Sequence, residues 1–320
     1  MAKQVETLGI GADVSKADIS ICIQGRAGVQ TLSNDRPVIR TWLKTLPGPA
    51  RIAVEATNTF HLALVEEAHA QGHTVFVING YRLNRYRESI GGRAKTDRAD
   101  AMLLMRYLER EGKDLRAWAP PPVGYVSVQR LLHRRATLVQ AKVSLAQSLG
   151  DMPELKSAMQ ALLQHLGQLD RLLEKRILQS VRDTGIAADA HRCMEIEGIG
   201  PLTAAALANA FRRGAFRTSD AFIAFLGLDV HVRESGTYKG RRRLTKQGDS
   251  ELRRLLHNAA MTASRSSQWK PFYERYQRRG LQKIQALVIL ARKLARIAFA
   301  LMKTQSQYKP DLAVAACVPT

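Results

Sequence analysis

The residues best suited to chemistry are acidic side chains in the first third of the sequence. Asp97 and Asp100 are three residues apart at the start of a predicted helix, so both carboxylates lie on one helix face. Their charges repel, and a hard cation such as Mg2+, which binds oxygen ligands, would remove that cost. Taken alone, the pair is also typical of a solvated first turn. Thr96 is a good N-cap, and acids favour the positive end of the helix dipole.

Two further acids end predicted strands. Asp13 lies near the end of the first strand, and Glu55 ends a later, short apolar strand. An acid is unfavourable inside a sheet, and ligands of open α/β sheets collect beyond the strand ends. We therefore expect Asp13, Glu55, Asp97 and Asp100 to converge. Carboxylates from three elements can hold two cations about 4 Å apart, as phosphodiester chemistry often requires.

The elements that must position these acids form a predicted α/β layer. Apolar and polar residues alternate over 7–14 and 18–23, which predicts a hairpin of two strands, and a weaker third strand is predicted at 28–32. Helices then alternate with strands at 51–55 and 74–78. This order predicts a mixed sheet. The spacing of its acids resembles the RuvC-like members of the ribonuclease H superfamily.

The rest of the chain is predicted to be mostly helical. Three prolines at 120–122 break it after the α/β layer, and leucine-rich runs follow from about 126 to 181. These runs predict an antiparallel helical pair or a coiled coil, which could be a dimer arm, a nucleic-acid brace or a plain packed hairpin. The predicted divisions are a RuvC-like metal-binding domain (1–115), a helical coiled-coil linker or dimerisation region (116–185), a mostly α-helical domain (186–305) and a disordered tail (306–320).

The composition points to a polyanionic partner. Of 320 residues, 49 are Lys or Arg and 28 are Asp or Glu, a net charge of +21, which favours nucleic acid over a small-molecule substrate. Three cysteines, Cys22, Cys193 and Cys317, have neither zinc nor disulfide spacing, which fits a reducing compartment. Neither a signal peptide nor an apolar run of membrane-spanning length is recognisable, so no membrane association and a cytoplasmic location are expected.

A short glycine motif in the C-terminal half is suited to phosphate. The segment around Gly198 and Gly200 ends one predicted helix, and Pro201 begins the next. Glycines permit a tight turn, and free N–H groups at a helix start can face a phosphate. The motif resembles a helix-hairpin-helix, which binds nucleic-acid backbones. An ordinary turn between two helices would look similar.

A second basic segment places one serine among cations. Ser235 lies in a predicted exposed loop with glycines at 236, 240 and 248. A serine is a weak nucleophile that needs activation, whereas guanidinium groups can hold a phosphate and stabilise its developing charge. A simple phosphate-binding loop remains the alternative. The basic residues around the serine are Arg233, Lys239, Arg241, Arg242, Arg243 and Lys246.

Together these motifs resemble the DEDD transposases of bacterial insertion sequences, which are related to the pilin-gene inverting recombinases. The resemblance covers about residues 7–303. It is carried by Gly-Ile-Gly-Ala-Asp-Val-Ser-Lys at Asp13, Val-Glu-Ala-Thr at Glu55 and Lys-Thr-Asp-Arg-Ala-Asp at Asp100. The later Glu-Gly-Ile-Gly, Phe-Leu-Gly-Leu and Arg-Glu-Ser-Gly segments resemble the same family's C-terminal transposase domain.

The resemblance implies a detailed function. It implies that Asp13, Glu55, Asp97 and Asp100 bind Mg2+ and that Ser235 is a nucleophile that becomes linked to a DNA phosphate, as in a serine recombinase. It also implies that a structured noncoding bridge RNA pairs with donor and target DNA. A homodimer or homotetramer is implied, with a composite site formed by two protomers and the central helices as its coiled coil. The implied place of action is the bacterial nucleoid.

One departure from the family pattern is visible after Glu55. The family commonly has Gly and then Tyr where this chain has Asn58 and Phe60. Asn tolerates a left-handed backbone, so we expect the turn to survive while the phenolic hydroxyl is lost.

Two other functions compete with this prediction. One is a RuvC-like nuclease that cuts branched DNA with water as the nucleophile, for which Ser235 would be unnecessary. The other is a basic scaffold that binds RNA or DNA without catalysis, which the presence of all four acids disfavours.

Overall fold

The structure is a computed structural model that divides the chain into two compact units. The first ends at Pro120 and the second begins at Pro121, within the proline run. The residues that the structure describes are 7–91, 96–231, 234–235, 238–240 and 242–310.

The first unit is an α/β layer with a five-stranded sheet in the order β3-β2-β1-β4-β5. β2 is antiparallel to both of its neighbours, and β4 is parallel to both of its neighbours, so the predicted mixed sheet is confirmed. The elements are β1 (Leu8–Val14), β2 (Asp18–Ile23), β3 (Gln30–Ser33), α1 (Arg36–Lys44), β4 (Ala50–Glu55), α2 (Leu62–Ala70), β5 (Thr74–Ile78), α3 (Gly80–Ser89) and α4 (Asp97–Glu111).

The central strand β1 shows how the sequence orients this layer. Side chains alternate between the faces of a strand. Ile10, Ala12 and Val14 are buried in a core that includes residues of α1 and α2. Gly11 and Asp13 therefore face the opposite side, where α4 lies against β1. A separate apolar cluster that includes Leu104 and Leu108 covers that side.

Gly11 allows α4 to approach the sheet unusually closely. A Cβ atom at position 11 would overlap the carbonyl oxygen of Ala101 and the amide nitrogen of Met105, and would lie 2.9 Å from the Cα atom of Met105. No side chain larger than a hydrogen fits between this strand and this helix. The glycine thereby fixes the distance of α4 from Asp13, which follows two residues later on the same strand face.

The second unit is mostly helical. Its helices are α5 (Tyr125–Ser148), α6 (Lys156–Asp183), α7 (Ala187–Met194), α8 (Pro201–Arg212), α9 (Ser219–Phe225), α10 (Ser250–Ala263), α11 (Lys270–Arg278) and α12 (Lys283–Thr304). The described residues between α9 and α10 contain four short strands, namely β6 (Val230–His231), β7 (Glu234–Ser235), β8 (Tyr238–Lys239) and β9 (Arg243–Leu244). Among the described residues, no helix is long and apolar enough to cross a membrane.

Helices α5 and α6 form an antiparallel pair that shares the core of this unit at one end only. Val128 of α5 and Ile177 of α6 belong to the same cluster as the fully buried Trp269 and Phe222. Farther along α6, leucines of the predicted near-heptad pattern are exposed: Leu162 by 42%, Leu169 by 46% and Leu172 by 56%. The coiled coil therefore remains a prediction.

We expect Gly11→Ala to destabilise the first unit by about 3 kcal/mol, the upper end of the range for overpacking, because the backbone of α4 would have to shift. Thermal or urea unfolding followed by circular dichroism would measure this loss. Gly48→Ala is the matched control, since nothing lies within 4 Å of a Cβ atom at position 48. Equal stability of the two variants would show that α4 can move away from β1 without cost.

Candidate active site and nucleic-acid interface

Two of the predicted acids lie at the same edge of the sheet. β1 and β4 are adjacent and parallel, and Ala12 is opposite Val54 in their register. Asp13 and Glu55 each follow by one residue, so both leave the carboxyl edge of the sheet at neighbouring positions. Both residues are half-buried. Alternation along β1 and the acid that closes the apolar run of β4 place this half of the predicted acid cluster.

The other two acids begin α4, as predicted. Thr96 caps the helix, and its hydroxyl oxygen accepts a hydrogen bond from the amide of Ala99 at 3.2 Å. Asp97 is exposed in the first turn, whereas Asp100 is only 6% exposed. A buried carboxylate is costly unless a cation or a hydrogen-bond donor faces it.

The four carboxylates come close enough to affect one another. Burial raises the pKa of Asp13 to about 6, and the negative charges of Asp100, Asp97 and Glu55 add to this effect. A carboxyl group surrounded by other carboxylates resists ionisation because like charges disfavour the charged form. Negative charge from the other three acids thus acts on Asp13, while the convergence of all four on one metal site stays a prediction.

Two residues of α3 contact the acids, and neither contact was expected from the sequence pattern. A guanidinium nitrogen of Arg87, Nη2, donates to Oδ1 of Asp100 at 2.6 Å, and both side chains are largely buried. Gly80 begins α3 directly against Glu55, because a Cβ atom there would overlap Oε1 of that carboxylate. The helix therefore meets one acid at its first residue and another near its last turn.

The chemistry of the donors fits a hard divalent cation, although the described side chains are not gathered into a metal cage. Carboxylate oxygens are the ligands that Mg2+ prefers, and a cation would relieve the repulsion around Asp13. Within the described part of the chain, no three acids, cysteines or histidines lie close enough to share one metal ion. Since Arg87 already holds Asp100, metal binding would require that carboxylate to turn or to be shared.

The described backbone places Ser235 in a short antiparallel ribbon, whereas we predicted a loop. Val230 and His231 pair with Leu244 and Arg243. Farther out, Glu234 pairs with Lys239, and Ser235 pairs with Tyr238. The two pairings are separate two-stranded sheets that are nested in sequence, and Ser235 belongs to the inner pair.

Closely packed backbone holds the base of this ribbon. Gly227 has a φ of +67°, and a Cβ atom at Gly248 would lie 2.7 Å from the amide nitrogen of Gly227. Nη1 of Arg253 donates to the carbonyl oxygen of Gly248 at 2.7 Å. The hydroxyl of Thr245 also donates to the carboxylate of Asp229, so both ends of the ribbon are fixed to each other.

Helix α5 reaches the same base through Asp249. The Asp249 carboxylate caps α10 by accepting from the amide of Glu251 at 2.9 Å, and its other oxygen lies 2.8 Å from Nε2 of His133. Burial raises the pKa of Asp249, but the hydrogen bonds with His133, Glu251 and Gln129 together hold it below its ordinary value. The base of the ribbon is therefore hydrogen-bonded to α5, one helix of the long antiparallel pair.

The structure describes the side chains of only some of the predicted nucleic-acid-binding cations. Arg242, Arg243 and Lys246 are exposed, and Lys246 has a φ of +55°. For Lys239 only the backbone pairing is described. Arg233 and Arg241 lie outside the described residues.

The Gly-Ile-Gly segment forms a turn between α7 and α8. Gly198 has a φ of +94°, and a Cβ atom there would lie 2.6 Å from the carbonyl oxygen of Ala259. Packing alone therefore requires this glycine. Gly200 is exposed in front of α8, with no atom within 4 Å of an added Cβ atom. Of the two glycines, only Gly200 has space for a phosphate, and a helix-hairpin-helix function remains a prediction.

Two family profiles match the sequence, one in each half of the chain. The profile described as Transposase IS116/IS110/IS902 family matches residues 190–277, which include the ribbon. A second transposase profile, for the DEDD transposases of the IS110 type, matches residues 10–152, which include all four acids.

The chain is a transposase of the IS110 family. It is 26% identical to a pilin gene-inverting protein of Moraxella bovis, over 92% of this chain and 95% of that protein. A pilin gene-inverting protein of Moraxella lacunata is also 26% identical, over 79% and 80% of the two chains. A probable family 20 transposase of Pseudomonas aeruginosa is 28% identical, over 86% and 90%.

Membership of this family makes the transposase a DNA-acting enzyme and implies dependence on a divalent metal. Its departure from the family pattern after Glu55 is tolerated as predicted. Asn58 has a φ of +47°, so it occupies the left-handed conformation that a glycine would adopt freely. Phe60 packs against the core of the first unit and needs no hydroxyl for that contact.

We expect Asp13→Asn to stabilise the transposase near pH 7 in the presence of a chelator. A raised folded-state pKa means that the wild-type protein loses stability as pH rises from about 4 to about 6. The uncharged amide escapes that loss. After allowance for solvent screening, we expect a gain of about 1–2 kcal/mol above pH 6 that disappears towards pH 4.

Unfolding curves at several pH values in EDTA would measure this gain. The same curves in Mg2+ would show how much stability each protein recovers when the metal is present. The wild-type protein should recover stability in Mg2+ more than the variant does. A variant that is less stable than wild type at pH 7 in EDTA would contradict the crowding of acids around Asp13.

Proposed function

We propose that this transposase recombines DNA under the guidance of a structured RNA, through a covalent bond between Ser235 and a DNA phosphate. Asp13, Glu55, Asp97 and Asp100 would bind Mg2+, which supplies electrostatic stabilisation of a reacting phosphodiester. The observation that carries the metal assignment is that Asp13 and Glu55 leave adjacent parallel strands at one edge of the sheet, where the charges of Asp100 and Asp97 also act on Asp13. A fold gains no stability from such a cluster.

The position of Ser235 supports its role as the nucleophile. It pairs with Tyr238 inside the segment that β6 and β9 enclose, and Gly248, Arg253 and Asp229 fix the base of that segment. A ribbon with exposed cations such as Arg242 and Arg243 can approach a phosphodiester and offset its negative charge. A serine held in this way can be carried to DNA without unfolding its own domain.

The proposed step keeps the number of phosphodiester bonds constant. The serine oxygen forms a bond to phosphorus and loses its proton, while the bond to one deoxyribose oxygen breaks and that oxygen gains a proton. The strand end remains linked to Ser235 until a hydroxyl of another strand attacks and releases the serine. Strands can thus be rejoined without ATP, which attack by water would not allow.

The relatives support recombination over simple cleavage. The two Moraxella proteins are named for inverting a pilin gene, and an inversion requires that every cut end be rejoined. A nuclease that uses water would leave ends that need a separate ligation. Covalent storage of the bond energy removes that need.

Charge and exposed leucines support the proposed partners. A net charge of +21 suits the simultaneous binding of DNA and a bridge RNA. Leu162, Leu169 and Leu172 form an exposed apolar row on α6 that could pair with the same row of a second protomer. We propose a homodimer or homotetramer in which two protomers contribute the acids and the serine to a composite site.

Ser235→Ala should keep DNA binding and lose both strand exchange and any covalent protein–DNA adduct, because the attacking oxygen is absent. A denaturing gel with end-labelled DNA would detect the adduct as a shifted band. Ser148→Ala, which removes an exposed hydroxyl at the end of α5, is the matched control and should behave as wild type. Chelation of the metal should abolish the band in the wild-type protein and in Ser148→Ala.

An adduct formed by Ser235→Ala would assign the nucleophile elsewhere. Rejoining by the wild-type protein without any adduct would favour hydrolysis at the four acids followed by another route to ligation.

The purified transposase should retain a structured RNA encoded beside its own gene, and its recombination should depend on that RNA. Removal by ribonuclease should abolish strand exchange, and return of the same RNA, but not of a scrambled RNA of equal length, should restore it. Affinity for the RNA should fall steeply with salt because phosphate contacts release counterions. Full activity of the ribonuclease-treated protein would refute guidance by RNA.

A further inference from the structure

Helix α3 has an exposed face that neither the fold nor the acid cluster explains. Leu83 is buried and anchors the helix to its unit. Tyr81, Arg82 and Arg85 lie on the opposite side, and Tyr81 is 58% exposed. Residues at i, i+1 and i+4 share about one third of the helix surface, so these three side chains form one surface, which we call the α3 platform.

The α3 platform adjoins the acids because of how α3 begins. Gly80 packs against the carboxylate of Glu55, and Tyr81 is the next residue. The side chain of Asn79 accepts a hydrogen bond from the amide of Tyr81 at 2.9 Å, which fixes the first turn of the helix. On the inner side, Arg87 holds Asp100 at 2.6 Å. A strand that reaches the acids must therefore pass beside this helix.

The side chains of the platform are already assembled for stacking. The Arg85 guanidinium lies over the Tyr81 ring, 5.4 Å from its centroid, and two of its nitrogens lie 3.2 and 3.3 Å from the Tyr81 hydroxyl. Glu88 holds the same guanidinium from the next turn at 3.5 Å. The tyrosine ring is thus oriented by a cation before any ligand binds.

An aromatic ring flanked by two arginines fits a nucleic-acid strand better than a protein surface. Bases stack on exposed aromatic rings, and guanidinium groups bind the phosphates between them. A base inside a duplex has no free face, so the ligand must be single-stranded or locally unpaired. An apolar protein partner would bury the two guanidinium groups without adding any counter-charge to that of Glu88.

We propose that Tyr81, Arg82 and Arg85 bind the unpaired DNA strand whose phosphate is presented to the acids. This inference rests on the proposed function, since it names the substrate of the same acid cluster. Tyr81 stacks on one base, and the two arginines contact its flanking phosphates. All three are positioning residues that hold the strand and take no part in bond breaking.

Fluorescence anisotropy with a short single-stranded DNA, in EDTA so that no chemistry occurs, tests the stacking. Tyr81→Ala should weaken binding roughly 5- to 150-fold, the range for one stacked base. Tyr81→Phe keeps the ring and should remain within about twofold of wild type. Fully paired duplex of the same sequence should show no such difference between the variants.

The salt dependence of the same binding tests the arginines. Removal of one phosphate contact to a single strand lowers the slope of log affinity against log salt by about 0.7, so Arg82→Gln with Arg85→Gln should lower it by about 1.4. Arg26→Gln with Lys44→Gln removes two exposed cations from the same unit outside α3 and is the matched control. This control should also lose affinity if binding depends only on total charge.

The following results would overturn the proposal. If Tyr81→Ala bound DNA as tightly as the wild-type protein, no base would stack on Tyr81. If the α3 pair and the control pair gave equal salt slopes, Arg82 and Arg85 would make no phosphate contacts. A loss confined to single-stranded RNA would assign the platform to the guide and overturn the assignment to DNA. Because these measurements need neither metal nor Ser235, the adduct experiment tests the proposed function separately.

Discussion

Repulsion among carboxylates is the constraint that governs the first unit. Gly11 allows the backbone of α4 to press against β1, which brings the first turn of that helix to the edge where Asp13 and Glu55 end their strands. The result is an aspartate whose pKa rises to about 6, because burial and three like charges disfavour its ionised form. A sheet packed for stability alone would avoid this arrangement. Its cost is offset only when positive charge enters the cluster.

The parts of this site that follow from local chemistry could be read from the sequence. Alternation along β1 indicates the place of Asp13, Glu55 closes the short apolar run of β4, and Thr96 with Asp97 marks the start of a helix. Arg87 could not be predicted, because its partner lies on a different helix and the contact depends on how α3 packs. The sequence does not decide whether Asn79-Gly80 forms a turn or begins a helix, since Asn-Gly is typical of turns and Asn is also a good N-cap.

The second unit shows a different limit of prediction. The cations and glycines around Ser235 indicate an exposed segment, and the described strands within it are only two residues long. Such strands carry no period of their own, so their pairing cannot be read locally. What makes a ribbon possible is its base, where Gly227 and Gly248 bring two backbones together and Arg253 donates to one of them. The contact between the two glycines joins residues about twenty positions apart, and only tertiary structure reveals it.

The positive charges arranged around the acids explain how a chain with a net charge of +21 can carry an acidic cluster near DNA. A DNA phosphate that approaches four carboxylates is repelled, and a metal ion offsets this only at short range. Attraction over longer distances must come from cations arranged around the acids. Arg82 and Arg85 lie on the outer face of α3, whose first residue packs against Glu55. Arg87 neutralises Asp100 from the inner face of the same helix. The same helix therefore presents exposed cations on its outer face and reduces the negative charge of the acids on its inner face.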